Sequence, residues 1–373
     1  MRNKRFDREA SKMKLNRAPV WWMFCFLVVA CALVTGRGSL LFSQTQASPP
    51  QGTVERIKVH GKSLEGNLEG DSPDRDVSVY LPPGYKTDSK KRYPVIYLLH
   101  GYTDNDDNWF GAKHPFVDAP AAIDKALASG SSHGMIVVMP NAYTIYMGSM
   151  YSNSVTTGDW EGFITNDLVS YIDTHYRTIP DRASRGLAGH SMGGYGTIRL
   201  GMKYPEVFSS LYAMSACCLG TNPNLTGPAM EKAEAIHSAA DLAKADFGTR
   251  AMIASAAAWS PNPKNPPLYF DLPAMDGKPQ PLVVAKWDAN APLAMLDQYV
   301  PNLKKYHAIA LDVGTKDGLM ASIQELDSGM TTFGISHTFE TYDGTHVSGI
   351  QVRLEKNVMP FFSNNLSFGH AAH

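Results

Sequence analysis

RGLAGHSMGG, residues 185–194, is a short run of small and apolar residues ending in a serine set between glycines. A helical pattern over Met192–Tyr204 follows at once. At its centre is Gly189-His190-Ser191-Met192-Gly193, a G-x-S-x-G between a predicted strand and a predicted helix. A turn that sharp holds the serine in strained backbone angles, and only glycine leaves room two residues to either side. The Ser191 hydroxyl then stands exposed above a sheet. The N-terminus of the next helix lies beneath it, where partial positive charge favours an anion. The competing reading is a glycine-rich packing turn, but the flanking strand and helix favour a nucleophile.

Outward from this turn, strand and helix patterns alternate. YPVIYLLH (93–100) and GMIVVMP (134–140) are nearly continuous apolar runs, as in strands buried on both faces of a parallel sheet. Val54–Val59 and Asp76–Leu81 read as strands, and Pro82-Pro83-Gly84 as a turn. Helical spacing covers 119–128 and Trp160–Tyr176, where Phe163, Leu168, Ile172 and Tyr176 share one side. Val207–Met214, His307–Val313 and Phe339–Tyr342 are later strands, and 347–363 suits a closing helix. This order predicts an α/β fold, a mostly parallel central sheet with helices on both faces joined by right-handed crossovers. One segment interrupts the rhythm: 228–258 is alanine-rich and helical, and 259–281 holds seven prolines. The inserted helical and proline-rich segment, 221–281, is a candidate cap over the site.

Of the 373 residues, 44% are hydrophobic and 18% charged, which excludes a disordered chain and a coiled coil. A formal charge of −1 leaves no whole-chain basic footprint for nucleic acid. That total conceals +5 on residues 1–17 and −6 on the rest, and residues 18–36 carry no charge. As a helix the uncharged run would reach about 28 Å, close to a hydrocarbon core of about 30 Å. A basic leader before an apolar run is the pattern of export, as a cleaved signal peptide or a retained signal anchor. Thr45-Gln46-Ala47 offers a cleavage context, and Val28-Val29-Ala30-Cys31 looks like a lipoprotein processing site. The expected layout is therefore a leader and linker over 1–47, a catalytic domain over 48–365 and a tail over 366–373. Membrane contact is expected only through the N-terminal segment, if it is uncleaved or lipidated at Cys31. Cys217 and Cys218 are adjacent and form no disulfide framework or C-x-x-C spacing; they read as small apolar packing.

A serine hydroxyl needs a base at neutral pH, and a serine presented in this way takes its partners in the order serine, acid, histidine. Six histidines follow Ser191. His370 and His373 lie in the tail, His237 in the insertion, and His307 and His337 before strands. His346 follows the Phe339–Tyr342 strand in Asp343-Gly344-Thr345-His346, on a loop leading to the last helix, and is the best candidate. Asp317, in Gly314-Thr315-Lys316-Asp317-Gly318 just past a strand, is the preferred acid. It would hold the imidazole in one tautomer. Asp312, within the strand, is its main rival, and Asp343 is too near His346 in sequence. Developing charge on a substrate oxygen calls for two backbone donors, assigned to the amides of Met192 and Tyr102.

Together Tyr93–Gly101, Gly189–Gly194 with Tyr195-Gly196, Gly314–Asp317 and Gly344-Thr345-His346 resemble the esterase D-like branch of the α/β-hydrolases. That branch includes feruloyl and acetylxylan esterases, S-formylglutathione hydrolases, enterochelin esterases and mycolyltransferases. Tyr80–Tyr85 looks like the family's entry strand, and the resemblance runs over roughly 54–363. It implies an α/β-hydrolase fold, the triad Ser191, Asp317 and His346, and no metal or cofactor. Two departures bear on substrate. Val347-Ser348-Gly349-Ile350 follows the histidine where many members have a tryptophan, and 221–281 has no assigned counterpart. The implied activity is that of an exported serine carboxylesterase acting on small-molecule or carbohydrate-linked esters, with plant cell-wall esters or envelope lipids as suitable substrates. An exported acyltransferase on the same triad and a non-catalytic binding protein on a hydrolase scaffold are the alternatives. Trp109, Tyr151, Asn153 and Trp160 are candidate contacts for the acyl or sugar part, against the plainer reading of packing.

Overall fold

The buried runs of the sequence become the centre of an eight-stranded sheet in a computed structural model, which describes residues 49–369 apart from 112, 114 and 221–226. In chain order the strands are β1 (Thr53–His60), β2 (Asp74–Leu81), β3 (Val95–Leu99), β4 (Ile136–Pro140), β5 (Arg185–His190), β6 (Ser210–Met214), β7 (Ala308–Gly314) and β8 (Thr338–Tyr342). Across the sheet they run β1-β2-β4-β3-β5-β6-β7-β8. The β1–β2 and β2–β4 pairs are antiparallel, and every other pair is parallel. The edge strand β1 alternates exposed and covered positions, while β3, β4 and β6 are buried along their whole length. A strand covered on both faces has no polar side to show, which is why YPVIYLLH and GMIVVMP carry no alternation.

Successive side chains of each strand feed opposite faces. Val95, Tyr97 and Leu99 of β3, with Leu187 of β5, Leu211 of β6 and Leu311 of β7, join one apolar cluster. Ile96 and Leu98, with Ala188, Tyr212 and Ala310, join the other. Helix α1 (Ala119–Ala128) covers the second face with Ala122, Ile123 and Ala126. Helix α2 runs Trp160–Gly162, a π segment Phe163–Leu168, and Val169–His175, and its Phe163, Leu168 and Ile172 pack on the first face. Helix α3 (Met192–Lys203) lies on that face too and is buried from Met192 to Met202. Glu161 of α2, itself buried, clamps α3 by accepting from Arg199, Lys203 and the Tyr204 hydroxyl (2.8 Å for the last).

The insertion leaves the sheet after β6 and, among the described residues, carries three helices: α4 (Pro228–Glu234), α5 (Ala239–Lys244) and α6 (Phe247–Trp259). The Ser238 and Asp246 side chains cap α5 and α6 by accepting from Asp241 and Thr249 amides. An irregular proline-rich stretch follows, and then α7 (Pro281–Asp288) and α8 (Pro292–Leu303) return the chain to β7. After β7 come α9 (Met320–Thr332), β8 and a closing helix, α10, from Ile350–Arg353 through a π segment, Leu354–Val358, to Met359–Asn365. Beyond it Leu366 is buried and Phe368 packs on His133 at 5.3 Å, so the expected tail docks as far as those residues. The basic leader, the uncharged run, Cys31 and Thr45–Ala47 lie outside the described residues. Among the described residues no helix is long and apolar enough to cross a membrane.

Candidate active site

Parallel register brings the C-terminal ends of β3, β5, β7 and β8 to one edge. Leu99 pairs with Gly189, His190 with Met214, Met214 with Asp312, and Gly314 with Tyr342. The loops that follow these strands carry the candidate residues, at the sheet edge where α/β folds bind ligands.

Ser191 has φ 57° and ψ −114°, a conformation that L residues rarely adopt. The surrounding glycines make it possible. A Cβ on Gly189 would overlap the Gly193 carbonyl, and one on Gly193 would overlap the Leu99 carbonyl. Two backbone bonds fix the turn from outside: the Ser191 amide donates to Met214 O (3.0 Å), and the Cys217 amide donates to Ser191 O (3.1 Å).

The Ser191 hydroxyl faces His346, with Oγ 2.9 Å from Nε2. On the other side of the ring, Nδ1 is 2.8 Å from Asp317 Oδ2. The second carboxylate oxygen of Asp317 accepts the Leu319 amide at 2.9 Å. The Asp317 side chain is 1% exposed and the His346 side chain 33%, so the acid is shielded while the ring reaches the cleft. The loops bearing them meet because Gly314 has no side chain: a Cβ there would overlap Gly344 O, and the Lys316 amide donates to that same carbonyl at 2.9 Å.

The rival residues are engaged elsewhere. Asp312 is buried with Arg353 (2.9 Å) and the Tyr212 hydroxyl (2.8 Å). Asp343 pairs with Lys316 at 2.6 Å on the surface, and His337 pairs with Asp327 at 2.9 Å. Met192 supplies the first amide of α3, which has no intrahelical acceptor. Among the described residues the Tyr102 amide has no backbone acceptor either. Tyr102 follows Gly101, where a Cβ would stand 3.5 Å from the Ser191 Cβ, so this strand end borders the hydroxyl.

His190, the residue before the nucleophile, is a positioning group that sequence reading passed over. Its Nε2 lies 2.8 Å from His346 O, and because a carbonyl only accepts, Nε2 carries the proton. Burial, with the neighbouring His346 second, pushes its pKa down to about 4, which keeps it neutral. His100 is likewise buried: Nε2 accepts the Ala142 amide (2.8 Å), and Nδ1 donates to Gly101 O (2.8 Å). Burial lowers its pKa as well.

A cleft of about 480 Å³ opens on the hydroxyl. Tyr102, Asp104 and Asn108 line its polar and backbone-rich side, and Phe116, Phe247 and Val347 form an apolar rim that is 52%, 65% and 56% exposed. Phe247 opens α6 of the insertion and meets the Tyr102 ring edge-on at 5.6 Å. Of the four aromatic and amide candidates for substrate contact, none lines this cleft. Trp109 is buried and donates to Asp104 (2.6 Å), Tyr151 is buried and donates to His100 O (3.1 Å), and Trp160 is buried and donates to Thr157 O (2.8 Å). Asn153 is exposed in a short hairpin with Asp159. Tyr151 lies on a connecting loop, whereas Trp109 lies in a single helical turn, Asp107–Phe110, and Trp160 opens α2; packing takes all three rings inward. Among the described residues no cluster of three or more His, Cys, Asp or Glu side chains is placed to hold a metal.

A sequence profile of the family described as "putative esterase" matches residues 72–349. An endo-1,4-beta-xylanase/feruloyl esterase of Xylanibacter ruminicola is 34% identical over 137 residues, which is 35% of this chain and 18% of that protein. An esterase of Mycobacterium tuberculosis is 34% identical over 136 residues, 36% of this chain and 27% of its own length. The chain thus matches well under a third of either relative. Among solved structures, a ferulic acid esterase superposes with a TM-score of 0.60 at 23% identity, covering 85% of this chain and 100% of that one. At that identity the likeness speaks for the α/β-hydrolase fold.

Proposed function

The chain belongs to the putative esterase family, a family of carboxylic ester hydrolases, and from that premise we propose that it is an exported serine carboxylesterase working through an acyl-enzyme. The observation that carries the proposal is the chain of contacts from Ser191 Oγ through His346 to Asp317, at 2.9 and 2.8 Å. In the proposed reaction His346 Nε2 takes the Ser191 proton as Oγ attacks the ester carbonyl. The Met192 and Tyr102 amides hold the oxyanion, and Asp317 steadies the imidazolium. His346 then returns the proton to the leaving alcohol. Water, deprotonated by the same ring, releases the acid from Ser191.

The apolar rim of Phe116, Phe247 and Val347 beside the polar Asp104 and Asn108 suits an ester that joins an apolar or aromatic acyl group to a hydroxyl-rich alcohol. Feruloyl or acetyl esters of carbohydrates fit that description, and the names of the Xylanibacter relative and of the ferulic acid esterase structure point the same way. The 221–281 insertion serves as one wall of the cleft through Phe247. Export rests on the charge pattern of residues 1–36. Labelling with a fluorophosphonate probe and turnover of p-nitrophenyl acetate test the reading. Ser191→Ala is expected to abolish both with the fold intact, and unchanged turnover in that variant would overturn it.

A further inference from the structure

The mechanism leaves two reactive groups unused behind the nucleophile. Cys217 and Cys218 are both free and partly exposed, and their sulfur atoms stand 2.7 Å apart, closer than two unbonded sulfurs ordinarily rest. Among the described residues each is the other's nearest thiol. The backbone is already bent to bring them together, since Cys218 has φ 60°, in the left-handed region. The same pair is tied to the nucleophile: the Cys217 amide donates to Ser191 O, and the neighbouring Ala216 Cα lies 2.9 Å from where a Gly194 Cβ would be.

We propose that Cys217–Cys218 is a thiol modification site that a disulfide oxidant closes to a disulfide between adjacent residues, and that closure disturbs the Ser191 turn. The chemistry is thiol–disulfide exchange. The Cys218 thiolate attacks one sulfur of the oxidant, forming a mixed disulfide and releasing one thiol. Cys217 then loses its proton to solvent and attacks Cys218 Sγ, expelling the second thiol. Two protein thiols are oxidised by two electrons, and the oxidant is reduced to two thiols. The hydrogen bond with the Cys218 sulfur, with burial second, holds the Cys217 thiol protonated, which leaves the first attack to Cys218. The new ring includes both Cα atoms and the peptide between them, so it twists the segment whose amide holds Ser191 O. The coupling to turnover rests on the esterase reading above, whereas the thiol chemistry does not.

The test uses the full-length protein, reduced, freed of reductant and incubated with oxidised glutathione. The peptide containing residues 217–218 is expected to lose two hydrogens without retaining glutathione. Ester turnover is expected to fall several-fold and to return on adding dithiothreitol. Cys218→Ser, which leaves the proposed machinery untouched, is expected to keep its turnover through the same treatment. A peptide that stays unmodified, or that keeps a glutathione adduct, overturns the proposed disulfide. A disulfide that forms with turnover unchanged overturns its coupling to Ser191. Reduced protein without any ester turnover would count against the esterase reading, and the peptide mass would still decide the thiol chemistry.

Discussion

Replacing Asp317 by asparagine separates orientation of His346 from every other contribution to the site. Both carboxylate oxygens of Asp317 accept hydrogen bonds: Oδ1 takes the Leu319 amide at 2.9 Å, and Oδ2 takes His346 Nδ1–H at 2.8 Å. An asparagine has one acceptor oxygen and one NH2 group. The Leu319 amide can only donate, so the amide oxygen belongs there and the NH2 group then faces His346 Nδ1. The ring must answer by accepting at Nδ1, which moves its proton to Nε2, and an Nε2–H cannot take the Ser191 proton. The opposite flip keeps the tautomer but sets the NH2 group against the Leu319 N–H in a buried place, which costs about 1–3 kcal/mol. A wrong tautomer in a triad of this kind lowers kcat by about 10⁴, equivalent to about 5 kcal/mol of transition-state stabilisation. The expected outcome for Asp317→Asn is a fall in kcat of roughly three to four orders of magnitude for p-nitrophenyl acetate, with KM within a few-fold and thermal unfolding little changed. Steady-state kinetics on folded variant measures it. A variant that keeps more than about a tenth of the kcat would refute the assignment of Asp317 as the orienting acid.

Four further outcomes follow from other contacts. Gly193→Ala places a Cβ against the Leu99 carbonyl, so stability is expected to drop by about 1–3 kcal/mol or more, read as a lower urea midpoint. Glu161→Ala leaves the buried Arg199 charge without its carboxylate, with only the Asn290 amide oxygen still accepting from it, and a loss of about 3–5 kcal/mol is expected by the same measurement. The folded pKa of His190, about 4, lies below the 6.5 of an unperturbed histidine, so the unfolded chain binds more protons between these values. Stability should therefore fall as pH drops from 6.5 towards 4, by roughly 3 kcal/mol in all, and His190→Asn should show a flatter urea-denaturation profile over that window. Phe247→Ala should raise KM for aromatic acyl esters and leave acetate turnover within about twofold, because a rim contact acts on the acyl group and not on the carbonyl.

What could be read from residue order was whatever chemistry forces locally. The glycines around Ser191 announce the turn because nothing larger fits between Leu99 O and the start of α3. Continuous apolar runs announce buried strands, because a strand between two helix layers has no wet face. The contacts from Ser191 to His346 and from His346 to Asp317 join residues 155 and 29 positions apart, and the order of strand ends along the chain was enough to nominate them. Side-chain direction was not legible. Tyr151 sits on a connecting segment, Trp109 in a single helical turn, Asp107–Phe110, and Trp160 at the start of α2, and each turns inward to bury its ring and satisfy its one polar atom. Phe247 went unnoticed for the converse reason. Its helix start is signalled by the Asp246 cap, yet nothing in the insertion's sequence says which part of the sheet edge that helix end will reach. His190 was visible only as the variable position of a motif, since its partner is a backbone carbonyl and main-chain acceptors leave no trace in residue identity.

The long excursion between β6 and β7 begins and ends on neighbouring strands that pair from Ala308–Ser210 to Asp312–Met214. It is also pinned along its length: Ala257 O and Tyr269 O accept from the Ser154 and Thr156 hydroxyls, Leu268 O accepts from the Tyr146 hydroxyl, and Trp259 Nε1 donates to Ser152 Oγ. Exchanging it for another segment would disturb the loops ahead of α2 and, through the Cys217 amide, the Ser191 turn, along with the cleft wall at Phe247. In this architecture the cleft wall and the reacting atoms rest on one shared support.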